Sequence, residues 1–324
     1  MTASTALPVT RAADLADVPT ERRWLVEDLW GDQAVGIVGG EPKCCKSFLA
    51  LDLAVAVASG APCVRRFAVP RTGRVLLFAA EDALHVVRQR LVGIARAAGR
   101  VLADLDIQVI TAPTVRLDIE RDRDALTQTV AKLRPRLLVL DPFVRLHRVD
   151  ENLSGEVAPL LAYLRELQRR YHLAVVLVHH ARKGGAKMRA GQALRGSSEF
   201  HAWGDSNLYL RRHGDQLTLS VEHRAAASIG TVQLLLDTAD GAVALRTLDH
   251  AARATEPVAA ASATVELSLE QRVIKHLAAA PEPLMATALR KLCQVRNATL
   301  HAALAVLVGD GRVLKDTAGY ALAR

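Results

Sequence analysis

The sequence is poor in cysteine and has no long uninterrupted apolar run. Its four cysteines, at positions 44, 45, 63 and 293, are too few and too irregularly spaced for a disulfide framework, which indicates a reducing compartment. No stretch of about 18 apolar residues lacks a charge, so a membrane span is not expected. Residues 1–20 lack a basic start followed by an apolar run, so export is not expected either. These absences predict a cytoplasmic protein without a membrane partner.

The bulk composition is that of a globular protein. The chain has 324 residues, of which 50% are hydrophobic and 23% charged, and this excludes collagen-like, disulfide-scaffold and mostly disordered classes. Its length suits one large domain, or one domain and a small appendage. Lysine and arginine number 42 against 34 acidic residues, giving a net charge of +8. Polyanions are therefore the natural partners to consider.

From Trp24 onward, short apolar runs alternate with longer amphipathic stretches. Strands that are apolar at every position are buried on both faces, which predicts an α/β fold with a mostly parallel sheet. Residues 207–246 contain four short runs separated by turn signals and predict antiparallel strands that extend the sheet at one edge. The predicted strands of the core are 34–39, 74–80, 107–111, 137–140 and 174–178, and the predicted helices are 47–59, 82–98, 124–133 and 155–170.

A phosphate-binding loop is the strongest motif. It lies between a buried strand and a helix and has the Walker A frame, with Cys45 where the second glycine normally stands. Backbone N–H groups and Lys46 would hold the β- and γ-phosphates of ATP, and the Ser47 hydroxyl would ligate Mg²⁺. A side chain at position 45 crowds the phosphates or imposes an unfavourable φ, so a loop that no longer binds nucleotide is the alternative. The predicted cofactor-binding residues are Gly40, Glu41, Pro42, Lys43, Cys44, Cys45, Lys46 and Ser47.

Polar residues follow three of the predicted strands. Asp141 ends an apolar strand in the Walker B pattern and would hold Mg²⁺ beside Ser47. Glu81 follows another strand and is the candidate general base for the attacking water; its alternative role is that of an acidic residue at a helix N-terminus. His179 and His180 end a third strand, and one of them, His179 in our assignment, would sense the γ-phosphate. Because ligands bind outside the carboxyl ends of such strands, these groups are expected to converge.

A basic segment follows the histidine pair. It carries five cations in fourteen residues, with four glycines nearby and no acidic residue through position 198. Such cations can track a phosphate backbone without reading its sequence, although a merely solvated loop is the alternative. Few aromatic residues lie near it, which does not favour a base-stacking platform. The predicted nucleic-acid contacts here are Arg182, Lys183, Lys187, Arg189 and Arg195.

The C-terminal segment, residues 268–324, predicts three helices and a two-stranded hairpin. This order resembles the winged helix-turn-helix family, and the segment has a net positive charge. Arg296, at the start of the third predicted helix, is the leading candidate for a DNA groove contact. Winged helices also dock proteins, and that alternative stays open.

The motifs together resemble the RecA-like ATPases, most closely the branch of the plasmid-encoded hexameric replicative helicase RepA. The resemblance rests on the loop around Lys46, on Glu81-Asp82, Asp141-Pro142 and His179-His180, and on the run from Arg195 to Ser198. It implies a ring, usually of six subunits, with ATP at the interfaces, nucleic acid in the channel and an arginine supplied by the adjacent subunit. By position that arginine would be Arg224, with Arg211 and Arg212 as rivals.

These features predict four segments: a flexible arm at 1–21, a RecA-like ATPase domain at 22–248, a linker at 249–267 and a winged-helix-like domain at 268–324. The leading functional hypothesis is an ATPase that acts as a helicase, motor or loader on single-stranded DNA in plasmid or mobile-element replication. A DNA-binding regulator that uses ATP as an assembly ligand is the alternative, and a recombinase-like ATPase is the third hypothesis.

Overall fold

The computed structural model divides the chain into two compact units, Met1–Ala254 and Thr255–Arg324. It describes residues 7, 9–15, 23–180, 199–214, 216–238, 242–248, 269–280, 283–293, 300, 303–304, 307–308, 310, 312–316 and 319–322. A short 3₁₀ turn, Ala12–Asp14, lies within the predicted arm. The helices and strands of the first unit are β1 (Trp24–Val26), β2 (Trp30–Gly31), β3 (Val35–Gly40), α1 (Lys46–Ser59), β4 (Val75–Ala79), α2 (Leu84–Ala97), β5 (Ile107–Val109), α3 (Glu120–Leu133), β6 (Leu137–Asp141), α4 (Ser154–Tyr171), β7 (Ala174–His180), α5 (Glu199–Trp203), β8 (Ser206–His213), β9 (Gln216–His223), β10 (Val232–Asp237) and β11 (Ala244–Thr247).

A nine-stranded sheet forms the centre of the first unit, in the order β11-β10-β9-β8-β3-β7-β6-β4-β5. The six strands from β8 to β5 in this order are parallel, and β9, β10 and β11 are antiparallel to their neighbours. The predicted α/β class and the antiparallel extension are confirmed. The direction of β8 differs from the prediction, because β8 pairs in parallel with β3 and antiparallel with β9. The connection from β7 through α5 is long enough for the crossover that a parallel pair requires.

Two hydrophobic layers cover the sheet. Along each central strand the side chains alternate between a core that includes α1 and α2 and a core that includes α3 and α4. In β7, for example, Val176 and Val178 face α1, whereas Val175 and Leu177 face α4. Both faces are therefore apolar, which explains why the strand sequences carry no alternation.

The second unit contains α6 (Leu269–Ala279), α7 (Ala286–Cys293) and an antiparallel hairpin of β12 (Val313–Lys315) and β13 (Tyr320–Leu322). Residues 300, 303–304 and 307–308 are helical. A small core joins these elements and includes Val273, Leu289, Leu304 and Val313. Within the described residues, no helix combines the length and apolarity that crossing a membrane would demand.

Candidate nucleotide-binding site

A cavity of about 310 Å³ lies at the carboxyl ends of β3, β4, β6 and β7. This edge is where ligands bind in open α/β sheets. Three of the predicted catalytic residues, Lys46, Glu81 and Asp141, line this one cavity. The full lining consists of Lys43, Cys44, Cys45, Lys46, Ser47, Phe48, Glu81, Arg90, Asp141, Pro142, Val178 and His180.

The loop from Gly40 to Lys46 turns tightly between β3 and α1. A Cβ atom on Gly40 would lie 2.4 Å from the carbonyl oxygen of Leu210 and 2.6 Å from Cys44 Sγ, so only glycine fits there. Lys46 Nζ donates a hydrogen bond to the Glu41 carbonyl at 2.8 Å, inside the loop. Burial lowers the pKa of Lys46, an effect that nearby Cys44, Asp141 and Glu81 oppose. A phosphate group placed at this ammonium would replace the carbonyl as its partner.

Cys45 lies in the left-handed region of backbone conformation, which favours glycine. Its φ is 66° and its ψ 25°, and it directly precedes the first residue of α1. The conformation costs a non-glycine residue roughly 1–2 kcal/mol. The loop backbone thus keeps the left-handed turn although residue 45 has a side chain.

Neither thiol of the loop is set up as a reactive thiolate. Cys44 is buried, and burial is the main cause that raises the pKa of both thiols. Lys46 and Arg212 oppose the shift without reversing it. Such surroundings are typical of structural cysteines.

Asp141 and Ser47 form the metal-binding part of the cavity. The Ser47 hydroxyl donates a hydrogen bond to the Asp141 carboxylate. The pKa of Asp141 is raised to about 6, chiefly by burial; the charges of Asp82 and Glu81 also raise it, whereas Ser47 and Lys46 lower it. A hydroxyl and a carboxylate oxygen side by side are ligands that Mg²⁺ prefers, so these residues fit the ion. A divalent cation would also relieve the burial of the carboxylate charge.

Glu81 lies at the mouth of the cavity, and its side chain is 42% exposed. Its Oε1 accepts a hydrogen bond of 2.8 Å from Nε of Arg145, on the 3₁₀ turn Phe143–Arg145 that follows Asp141. One carboxylate oxygen is therefore engaged by an arginine. Asp82, the next residue, forms an ion pair with Arg90.

The histidine pair divides between the two faces of the sheet. His180 lines the cavity, whereas His179 is 1% exposed and stacks on Phe200 with ring centroids 4.3 Å apart. Phe143 contacts His179 edge-on, on the α4 side of the sheet. The expectation that His179 faces the γ-phosphate is not met, because successive strand residues point to opposite faces and His180 is the one on the α1 side.

The three arginines considered as fingers lie at different edges of the sheet. Arg224 follows β9, which is antiparallel to β8, and so lies at the edge opposite the phosphate-binding loop. There its guanidinium pairs with Asp205 at 3.3 Å and donates to the Ala202 carbonyl. Arg211 and Arg212 lie at the carboxyl end of β8, where Arg212 approaches Cys45 Sγ at 3.6 Å. The structure therefore does not bring Arg224 to the cavity of its own chain.

The predicted nucleic-acid contacts lie outside the described residues. This applies to Arg182, Lys183, Lys187, Arg189 and Arg195 and equally to Arg296. The described residues on either side of the basic segment are His180, at the cavity, and Glu199, the first residue of α5.

Arg90 of α2 lines the cavity and was not predicted as a site residue. The buried stripe of α2 contains Val87, Leu91 and Ile94. Arg90 comes three residues after Val87, so it lies at the border of that stripe. Its helical spacing from the buried residues was the sequence signal that could have placed Arg90 near the sheet.

Comparison with known proteins agrees with this arrangement. The family described as "AAA domain" matches residues 2–186, more than half of the chain. The solved structure "ATPase Domain of G40P" is similar with a TM-score of 0.52 and 14% identity, over 66% of this chain and 84% of that chain. A DnaB-like replicative helicase, solved in a study of its interactions with primase, has a TM-score of 0.51 and 14% identity, over 66% of this chain and 57% of that chain. These likenesses concern the fold and confirm the predicted RecA-like P-loop core, and by the extent of the family match the chain belongs to the AAA domain family.

Proposed function

We propose that this protein hydrolyses ATP to drive a helicase, motor or loader of the RepA type on single-stranded DNA, in plasmid or mobile-element replication. Lys46 and the backbone of residues 40–45 bind the phosphates, and Ser47 and Asp141 hold Mg²⁺. Glu81 is the general base. The proposal is supported by one observation above all, that Lys46, Ser47, Glu81 and Asp141 line a single cavity at the carboxyl edge of the sheet.

The chemistry assigned to these residues is a phosphoryl transfer to water. The Glu81 carboxylate takes a proton from the attacking water while the water oxygen forms a bond to the γ-phosphorus. The bond between that phosphorus and the β,γ-bridging oxygen breaks. ADP and inorganic phosphate leave. Mg²⁺, when bound, neutralises charge that develops on the β- and γ-oxygens. Lys46 contributes a fixed positive charge in a buried position, where electrostatic interactions are stronger than in water.

The partner assigned to the basic segment is the sugar-phosphate backbone of single-stranded DNA. The segment follows directly after His180, and His180 pairs in register with Gly40 at the start of the phosphate-binding loop. We assign to this segment the coupling of strand binding to hydrolysis. Contacts of this kind weaken steeply as salt rises.

The assembly we propose is a ring, with six subunits as the expected number. One similar solved structure is titled as a DnaB-like replicative helicase, and its fold is shared here at low identity. We further assign residues 22–248 to the ATPase domain, 249–267 to a linker and 268–324 to a winged-helix-like module. The boundary between the two compact units falls after Ala254, within the proposed linker.

Steady-state ATP hydrolysis, with and without single-stranded DNA, tests the proposal. We expect the DNA to raise turnover, and Lys46→Ala to lower turnover at least about 100-fold, because the variant loses the buried cation at the phosphates. Lys132→Ala is the control, since Lys132 is an exposed lysine of α3 that does not line the cavity. Turnover that no nucleic acid stimulates would refute the motor, and failure of calorimetry to detect ATP or ADP binding would refute the nucleotide site.

A second candidate is a DNA-binding regulator in which ATP is an assembly ligand with little turnover. The side chain of Cys45 favours it, because this residue lines the cavity in which the phosphates would be held. Duplex binding by the full chain separates the two candidates. The regulator requires sequence-specific duplex binding that Arg296→Ala weakens, whereas the motor requires sequence-indifferent binding to single strands.

A further inference from the structure

The amino ends of the central strands carry a cluster of arginines, on the edge of the sheet opposite the nucleotide cavity. Arg71, Arg134 and Arg136 lie in the loops that lead into β4 and β6, and Arg170 and Tyr171 end α4 before β7. We call these five residues the amino-edge patch. A strand of six residues such as β3 is about 20 Å long, so roughly that distance separates the patch from the cavity.

Two arginines of the patch share one carboxylate. Asp32, in the turn between β2 and β3, accepts hydrogen bonds from Arg136 Nη2 at 2.6 Å and from Arg71 Nη2 at 2.9 Å. One positive charge of this group is therefore not balanced by Asp32. The pKa of Arg136 is lowered, chiefly by burial and also by the charge of Arg71, whereas Asp32 raises it. An anion bound beside the two guanidinium groups would relieve their repulsion.

The other two arginines stack on Tyr171. The guanidinium carbons of Arg134 and Arg170 each lie 5.5 Å from the centroid of its ring. Stacking orients the planar groups without using their N–H donors. Arg134 Nε donates to the Ala131 carbonyl at 3.1 Å, which leaves its Nη groups for a ligand. Both arginines are exposed, so an anion in solution can reach them.

A contact between two loops holds the two pairs of arginines next to each other. His172, the residue after Tyr171, places Nδ1 3.0 Å from Oε1 of Gln33, the residue after Asp32. The patch is therefore one continuous surface built from the loops before β3, β4, β6 and β7.

Two of the four helices that end at this edge lack the glycine that their last turn favours. Helices α1 and α2 are followed by left-handed glycines, Gly60 with φ 74° and Gly99 with φ 67°. Helices α3 and α4 are followed by Arg134 with φ 49° and His172 with φ 55°. This conformation disfavours a residue with a side chain. Arg134 therefore lies there at a cost to stability that a ligand contact would explain.

The phosphate backbone of a double helix matches these features. Among the described residues, the ion pairs of the four arginines involve one carboxylate, Asp32, so the patch has excess positive charge. Arginine donates to two phosphate oxygens at once, and a duplex presents about one negative charge per 1.7 Å of its axis. Proteins that hold single strands add aromatic rings on which bases stack. Tyr171 is already covered by guanidinium groups and is not expected to do so.

We propose that the amino-edge patch binds the phosphate backbone of duplex DNA without reading its sequence. This contact goes beyond the proposed function, which assigns a single strand to the basic segment after His180, at the other edge of the sheet. It does not depend on ATP hydrolysis.

Fluorescence anisotropy of the full chain with a labelled duplex of mixed sequence tests the proposal. Arg134→Gln/Arg170→Gln is expected to weaken duplex binding at least about tenfold at about 0.1 M salt. The slope of log affinity against log salt should become shallower by about 1.8, because each lost phosphate contact contributes about 0.9. Arg88→Gln/Arg121→Gln is the matched control. It removes the same charge from exposed positions of α2 and α3 outside the patch, and its affinity should change less than about threefold.

Arg134→Gly separates binding from folding. Glycine suits the φ of 49°, so the melting temperature should not fall, while duplex affinity should fall at least about threefold. If this variant binds the duplex as tightly as the wild type, the assignment is wrong. A variant that loses melting temperature and affinity together shows that Arg134 supports the fold, and this result also overturns the assignment.

ATP hydrolysis and single-strand binding by the same variants distinguish this inference from the proposed function. No residue of the patch lines the nucleotide cavity, so basal hydrolysis should stay unchanged. Hydrolysis stimulated by single strands, together with duplex binding that the patch variants do not weaken, refutes the patch alone, and an acidic protein partner would then be the alternative. Duplex binding that depends on the patch, in a protein without ATP hydrolysis, supports the patch and refutes the motor. A larger loss of single-strand affinity than of duplex affinity in Arg134→Gln/Arg170→Gln overturns the assignment to a duplex.

Discussion

Replacing Asp141 with asparagine should stabilise the nucleotide-free protein while it abolishes Mg²⁺-dependent hydrolysis. Asp141 is 8% exposed, and burial is the main cause that raises its pKa from an ordinary 3.8 to about 6. The carboxylate is therefore held in a position that disfavours its charge. Asparagine has nearly the same shape and can still accept the Ser47 hydrogen bond, but it has no charge to bury.

The magnitude follows from the pKa difference between the folded and the unfolded chain. A group whose pKa is raised on folding contributes stability below its unfolded value of 3.8, and this stability is lost as the pH rises through about 6. The loss amounts to about 3 kcal/mol for a difference of this size. The asparagine variant does not show this loss of stability, because its side chain does not ionise. At pH 7.5 it should therefore exceed the wild type in stability by about 3 kcal/mol, and the two should converge near pH 4.

The assay is urea unfolding of both proteins from pH 4 to pH 8 in the presence of EDTA and without nucleotide. Subtracting the two curves removes the titration of groups that do not interact with Asp141. Asp124→Asn is the control, because it removes an exposed carboxyl of α3 whose charge is not buried. If the Asp141→Asn curve runs parallel to the wild-type curve at all pH values, burial does not oppose this charge and the reasoning fails.

Further substitutions test the backbone and a buried ion pair of the first unit. Gly40→Ala should lower the free energy of unfolding in urea by about 2–3 kcal/mol, because its Cβ would lie 2.4 Å from the Leu210 carbonyl oxygen. Gly155→Ala in α4, where a Cβ meets nothing within 4 Å, should instead stabilise the protein by up to about 1 kcal/mol. Equal effects of the two substitutions would contradict this explanation. The Cys45→Gly variant should be more stable than the Cys45→Val variant by at least about 1 kcal/mol, because the φ of 66° suits glycine. The opposite order in urea unfolding would contradict this reasoning. Asp52→Ala should cost about 3 kcal/mol, since this fully buried carboxylate accepts from Val64 N at 2.7 Å and from Arg65 Nη2 at 2.6 Å; a thermal melt unchanged from wild type would show that the pair stabilises nothing.

The fold and half of the candidate site were accessible from the sequence. The phosphate-binding loop could be recognised because its Gly40, Lys46 and Ser47 form a contiguous pattern between a strand and a helix. Asp141 and Glu81 could be placed at the same edge because carboxyl ends of parallel strands meet there. These inferences depend on local order along the chain and on the general geometry of parallel sheets.

The direction of β8 and the faces of the sheet on which the two histidines lie could not be predicted from local sequence order. Strand β7 is apolar at every position before His179, so its sequence does not reveal which face each residue takes. Only the packing of α1 on one side and α4 on the other assigns His180 to the cavity and His179 to the stack with Phe200.

By itself the sequence determined the parallel α/β core, the phosphate-binding loop and the carboxylates at the strand ends, because each depends on a short run of neighbouring residues. The tertiary structure alone decided the faces of the strand residues, the edge at which Arg224 lies and the entry of Arg90 into the cavity wall. The physical reason is that these three features depend on which elements pack side by side, and contacts between residues distant in sequence leave no periodic trace in a uniformly apolar strand.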